Sequence, residues 1–237
     1  MSLLRRLGER AGWGRAASGR APGSVNEAGL RAVPGWGELD VPWREAEFVV
    51  VDLETTGLDL RRDEIVSYGG VVVRGGRAVV DTCVYGLVRP TRPVSRAAVE
   101  VHALRLEDLA DAPTLEEAAP RLVELLDGRV LVAHAAWVEQ AFLGRALVSA
   151  GARLDGPVVD TAALAREVGV ARGQDDAEPQ LERLAITLRL PVHTPHHALG
   201  DALTTANVFL ALVGRLDARD PQTVRSLTTL TRRRARR

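Results

Sequence analysis

Val49-Val50-Val51-Asp52-Leu53-Glu54-Thr55-Thr56-Gly57-Leu58-Asp59 is an apolar, β-branched run that carries two carboxylates two residues apart and then breaks at a glycine. Such a run favours a strand, and side chains alternate faces along a strand, so Asp52 and Glu54 point the same way near its end. Adjacent anions repel unless a cation neutralises them. An all-oxygen donor set suits Mg²⁺ or Mn²⁺ rather than zinc. An isolated Asp-x-Glu is more simply a buried strand running into a polar turn with solvated carboxylates. The whole string from Asp52 to Asp59 is far more specific than that pair, and the residues downstream decide between the two.

The strand opens a change of texture at Glu47. Residues 1–45 are rich in Gly, Ala and Arg and are broken by Pro22, Pro34 and Pro42, which predicts a flexible N-terminal arm with Trp36 and Trp43 packing back on the domain. Residues 48–53, 64–74 and 78–88 read as three strands, the last two joined by a turn at Gly75-Gly76, giving a meander. Residues 89–93 read as a loop. Leu115, Ala118, Leu122, Leu125 and Leu126 have helical spacing that stops at Gly128. A short buried strand at 130–133 leads into a helix at 137–150, and Val158-Val159 leads into another at 161–167. A polar loop at 171–179, a helix at 181–190 and a long helix at 199–216 complete the pattern, leaving 217–237 as an extension with a basic, disordered tail. An antiparallel meander followed by alternating helices and short buried strands predicts an α/β fold, a mixed sheet flanked by helices.

The 237 residues suffice for one sizeable domain with extensions, and a hydrophobic content of 46% suffices for a core, although aromatics are only 4%. The 31 basic and 31 acidic residues cancel, so no global field announces a polyanionic partner. All the basic residues are arginines. The single cysteine, Cys83, excludes an internal disulfide and a cysteine-based zinc site. No continuous apolar run of ~20 residues and no secretory h-region is evident, so the expectation is a soluble, cytoplasmic protein without a membrane partner.

Two further acidic positions stand at helix starts. Glu139 falls in the first turn after the strand at 130–133, where an acid also complements the helix dipole. His196-His197-Ala198-Leu199-Gly200-Asp201 follows a proline-restricted loop and opens the longest helix. Each residue alone is more simply a surface or capping group. The order of an Asp-x-Glu, an acid at a strand–helix junction, and then a His-x-Ala-x-x-Asp type segment is hard to produce by accident.

These motifs resemble the DEDD superfamily of 3′–5′ exonucleases, in its histidine-containing branch, and within it the proofreading epsilon subunits of bacterial DNA polymerase III. The resemblance covers roughly residues 46–215. It implies a ribonuclease H-like fold, with residues 46–216 as the exonuclease domain. It also implies a catalytic set of Asp52, Glu54, Glu139, Asp201 and His196, the carboxylates holding two Mg²⁺ (or Mn²⁺) ions and His196 acting as general base, His197 falling on the variable position. Thr55, Thr56, Gly57 and Leu58 would approach the terminal nucleotide. Val101-His102-Ala103-Leu104 resembles the family's V-H-G-I element, which would put His102 near the nucleotide; a surface histidine in a loop-to-helix turn is the other reading. Asp160 or Thr161 is expected to cap a helix.

The second motif departs from the family pattern A-H-N-A-x-F-D. Here it is Ala133-His134-Ala135-Ala136-Trp137-Val138-Glu139, so asparagine becomes Ala135, phenylalanine becomes Val138, and the acid gains a methylene. Trp137 is expected to fill the space of the missing phenylalanine. The expected function is metal-dependent 3′–5′ hydrolysis of single-stranded DNA, with RNA as a variant substrate, to nucleoside 5′-monophosphates. Its partners would be 3′ ends of single-stranded nucleic acid and a polymerase or repair protein. The alternative is an exonuclease-fold binding or scaffold protein in which Glu139 has weakened turnover.

Overall fold

The computed structural model describes residues 31–32, 39–171 and 178–234. Most of the expected flexible arm, Trp36 included, lies outside them, as do residues 235–237. The centre of the molecule is a five-stranded mixed sheet built from β1 (Glu47–Thr55), β2 (Ile65–Arg74), β3 (Arg77–Leu87), β4 (Val130–Ala133) and β5 (Val158–Asp160). The order is β3-β2-β1-β4-β5, the first three antiparallel and the last pairings parallel. Gly75 and Gly76 both have positive φ, 60° and 76°, in the two-residue turn that closes the β2–β3 hairpin.

The helices are α1 (Arg96–His102), α2 (Leu115–Leu126), α3 (Trp137–Ser149), α4 (Thr161–Val168), α5 (Leu181–Thr187), α6 (Ala198–Asp217) and α7 (Val224–Arg234). Alternation along β1 sorts the core into two halves. Phe48 and Val50 pack with Val71, Val73 and the α6 residues Ala206, Phe209 and Val213. Val49, Val51 and Leu53 pack with Leu122 and Leu125 of α2 and with Phe142 and Leu143 of α3. The aromatic centre of the first half is Phe209, whose ring lies 5.0 Å from that of Phe48 and is met edge-on by the buried Trp43. Continuing the alternation, Asp52 and Glu54 emerge on the α6 side of the sheet.

Three features add to the sequence pattern. The stretch after residue 93 contains α1, capped by Ser95, whose hydroxyl accepts from the Ala98 N–H at 3.1 Å. Residues 224–234 form α7: Leu227 is fully buried, and Thr231 Oγ1 accepts from the Asp160 N–H of β5 at 2.9 Å. Of the tail expected to be disordered, residues 232–234 finish this helix. Thr and Arg fill most of α7, so its apolar stripe is too thin to announce a helix. Finally, α6 is long and apolar enough to cross a bilayer by length and composition, but 67% of the qualifying window is buried inside the protein, as befits a core helix.

A row of cross-strand partners fixes how α6 meets the sheet. Tyr85 of β3 pairs with Gly69 of β2, which pairs with Asp52 of β1. A Cβ on Gly69 would lie 2.2 Å from the Leu199 backbone nitrogen and 2.4 Å from the Ala198 carbonyl oxygen. Only glycine lets the first turn of α6 rest directly on the strand. Gly69→Ala is therefore expected to push α6 off the sheet, costing roughly 1–3 kcal/mol as overpacking does. Urea unfolding of the variant against wild type measures this; an unchanged midpoint would show that the contact is slack.

Candidate active site

The C-terminal end of β1 and the first turn of α6 bring three carboxylates together. One oxygen each of Asp52, Glu54 and Asp201 lies within 4.8 Å of the other two. Asp201 Oδ2 accepts the His196 backbone N–H at 2.8 Å, while its Oδ1 is buried with no partner. Glu139 is not one of the three. It sits in the first turn of α3, is only 5% exposed, and leaves Oε2 buried and unpartnered.

Burial and crowding raise the proton affinity of the carboxyls gathered here. Burial is the largest cause at every member. Asp52 is driven well above the usual carboxylate range by burial and then by the charges of Glu139, Asp201 and Glu54. Glu54 is pushed up to about 7 by burial and the neighbouring Asp201. Asp201 reaches about 6, where the His196 N–H offsets part of the burial. Glu139 reaches about 8, with Asp160 and Glu54 adding repulsion to burial. Buried oxygens without donors and carboxyls that resist ionisation together mark a site whose charge is incomplete, and the oxygen-only donor set fits a hard divalent cation.

The histidines divide their roles. His196 is exposed and has a φ of 58°, in the left-handed region, so the turn before α6 aims its backbone N–H at Asp201. His197 is half-buried, and its ring stacks on Tyr85 with centroids 4.4 Å apart and planes 23° from parallel. His102 is buried rather than on the surface. Its Nδ1 accepts the Leu104 N–H at 3.0 Å, so Nε2 carries the proton and donates to the Thr55 carbonyl at 3.1 Å. It thus holds the backbone that follows Glu54.

The turn after β1 is knitted to itself. Thr55 Oγ1 donates to the Gly57 carbonyl at 2.6 Å, and Thr56 Oγ1 donates to Asp63 Oδ1 at 2.8 Å. A Cβ at Gly57 would meet Asp63 Oδ2 at 2.5 Å, so the carboxylate lies against bare backbone. Leu58, 75% exposed, projects beyond this turn.

Around residues 133–139 the structure corrects one expectation. Trp137 does not replace the missing phenylalanine: it is 53% exposed, while Val138 packs on the core of the α2–α3 side. Ala135 occupies the left-handed region at φ 53°, where asparagine sits at lower cost. Its N–H donates to Asp160 Oδ1 at 3.1 Å, the same oxygen that caps α4 through Ala162 at 2.9 Å. Asp160 is therefore the α4 cap and a brace for the Glu139 segment. Glu182, in the first turn of α5, adds charge that raises both Asp52 and Asp201. Its place in an ordinary charged helix gave no motif spacing to find it by.

A family model described as exonuclease matches residues 49–209. A DNA polymerase III subunit epsilon-like protein of Rhodobacter capsulatus is 37% identical over 83% of this chain, and a PolC-type DNA polymerase III of Thermotoga maritima is 34% identical over 73%. The chain spans only 28% and 12% of those relatives. Exonuclease X, solved with 5′-overhanging duplex DNA, superposes with a TM-score of 0.61 at 26% identity, covering 78% of this chain and 99% of that one. Exonuclease I of E. coli, solved with a dA16 oligonucleotide, shares the fold at a TM-score of 0.64 and 13% identity, covering 73% of this chain and 42% of that one. The mixed sheet is thus the ribonuclease H-like arrangement of these exonucleases, and the chain belongs to the exonuclease family.

Proposed function

We propose that this chain is a 3′–5′ exonuclease that removes nucleoside 5′-monophosphates one at a time from single-stranded DNA, dependent on two Mg²⁺ or Mn²⁺ ions. The observation that carries the proposal is the convergence of Asp52, Glu54 and Asp201 oxygens within 4.8 Å, with a buried Asp201 oxygen left unpartnered. Asp52, Glu54 and Asp201 would hold the cations, with Glu139 completing the set. Bound there, the cations supply Lewis acidity for phosphodiester hydrolysis.

His196 accepts the proton of the attacking water. As water oxygen bonds to the terminal phosphorus, the bond from phosphorus to the 3′-oxygen of the preceding nucleotide breaks; that oxygen takes a proton from solvent, leaving a shortened strand with a 3′-hydroxyl and a free nucleoside 5′-monophosphate. The exposed side chain and fixed backbone of His196 suit it to this exchange. His102 steadies the Thr55 carbonyl, and with it the turn along which the last nucleotide would lie. Leu58 is free to press on the terminal base, which a single strand can splay more readily than a duplex. The polymerase names of the relatives support a cytoplasmic role beside a replicative polymerase.

Three outcomes test this reading. End-labelled single-stranded DNA with Mg²⁺ should shorten stepwise from its 3′ end and stop on addition of EDTA; Asp52→Asn and His196→Ala should each slow it by roughly 10²-fold or more. Full activity in either variant would sink the site assignment. Glu139→Gln removes the capacity to ionise toward a cation at nearly constant shape, and should raise the Mg²⁺ concentration for half-maximal rate roughly tenfold or more while KM for DNA changes little.

The third concerns stability and pH. Folded Asp201, Glu54 and Glu139 titrate at about 6, 7 and 8, against roughly 4 for unfolded carboxyls. Native carboxyls raised in this way stabilise fully below the unfolded values, and that stability is lost as pH rises through the folded ones. The metal-free protein should therefore melt at a lower temperature at pH 8 than at pH 5, and Mg²⁺ should restore more at pH 8. Equal melting temperatures in EDTA at the two pH values would contradict it.

A further inference from the structure

We infer that Tyr85 is a positioning residue for the nuclease centre: its stack on His197 sets the rotation of the first turn of α6, and through it the placement of His196 and Asp201. The inference deepens the reading of His196 as general base and rests on it for its kinetic consequence.

The geometry is a row and a bridge. Tyr85, Gly69 and Asp52 are consecutive cross-strand partners, and such partners project from the same face of a sheet. The middle position has no side chain, and the start of α6 lies directly on it. The helix turn therefore rests between two side-chain walls, Tyr85 on one flank and Asp52 on the other. His197 and Asp201 are four residues apart, joined by the Asp201 N–H donating to the His197 carbonyl at 2.9 Å, so they occupy one face of the turn. At one end of that face the His197 ring stacks on Tyr85 at 4.4 Å. At the other, Asp201 meets Asp52 and Glu54.

The turn needs such an anchor. Thr194 and His196 both have positive φ, 24° and 58°, which residues with a Cβ adopt at some cost. His197 is the N-cap of α6 yet makes no side-chain capping bond. From the helix side the turn is held by the His193 N–H donating to Thr204 Oγ1 at 2.9 Å, by Asn207 against His193 at 3.1 Å, and by the close seat of Thr194 on Gly200. On the sheet side, Ala198 and Leu199 are seated on Gly69, and the stack on Tyr85 bears on His197 itself. Losing it frees the turn to rotate about the helix-side bonds, which carries His196 away from the acids while leaving the fold intact.

Full-length Tyr85→Ala and Tyr85→Phe proteins test this with two readouts. In the exonuclease assay, Tyr85→Ala should lower kcat at least tenfold with KM within about twofold of wild type, and Tyr85→Phe, which keeps the ring, should restore it. By NMR on the metal-free protein, the His197 ring protons should lose their ring-current shift and the His196 amide, donated to Asp201, should move in Tyr85→Ala alone. Unchanged His196 amide and kcat in Tyr85→Ala overturn the inference, as does a Tyr85→Phe protein as damaged as Tyr85→Ala, which would assign the effect to the hydroxyl. A wild-type protein without nuclease activity defeats the functional proposal instead, and the His196 amide then decides the positioning role by itself.

Discussion

Electrostatic repulsion among carboxylates gathered at one end of a sheet is the constraint around which this molecule is arranged. Asp52, Glu54, Asp201 and Glu139 arrive from β1, α6 and α3, and burial and mutual charge push each of them toward its neutral form. Once ionised, such a gathering works against the fold, so the remainder of the chain must hold it in place. The two hydrophobic half-cores on either side of β1 do so, with Phe48 and Phe209 on one side and Phe142 and Leu143 on the other. Repulsion that the core contains becomes affinity for whatever cation relieves it.

Containment depends on close backbone approach as much as on burial. Gly69 lets α6 sit on the sheet so that Asp201 reaches Asp52, and Gly200 lets the preceding turn fold back on the helix. His102 and Asp63 secure the turn after β1 from beneath, and Asp160 ties the start of α3 to the start of α4. Each acid is thus fixed through its backbone by groups that do not themselves enter the cluster.

Much of this could be read from the residues in order. Alternation with a Gly-Gly turn disclosed β1, β2 and β3, and the spacing of Leu199, Ala202, Ala206, Phe209 and Val213 disclosed α6, because both signals are local. The acids were legible because their chemistry demands particular residue types at strand ends and helix starts. Tyr85, Gly69 and Glu182 were not, since their importance exists only once β3 lies beside β2 and α5 approaches β1. Trp137 misled because size alone suggested a filler, whereas its position at the first residue of α3 turns it to solvent. Helix α7 stayed hidden because its few apolar residues make sense only against β5 and α4.

That last helix has a practical consequence. Among the described residues β5 ends the sheet, and a threonine hydroxyl from α7 meets its Asp160 N–H while Leu227 plugs the core beneath. A fragment trimmed at the end of α6, after Asp217, would keep every acid of the cluster yet bare a sheet margin and an apolar socket. Such a fragment would be prone to pair through that margin with its own copies, so loss of material on purification would report a missing cover and not a fault in the acid cluster.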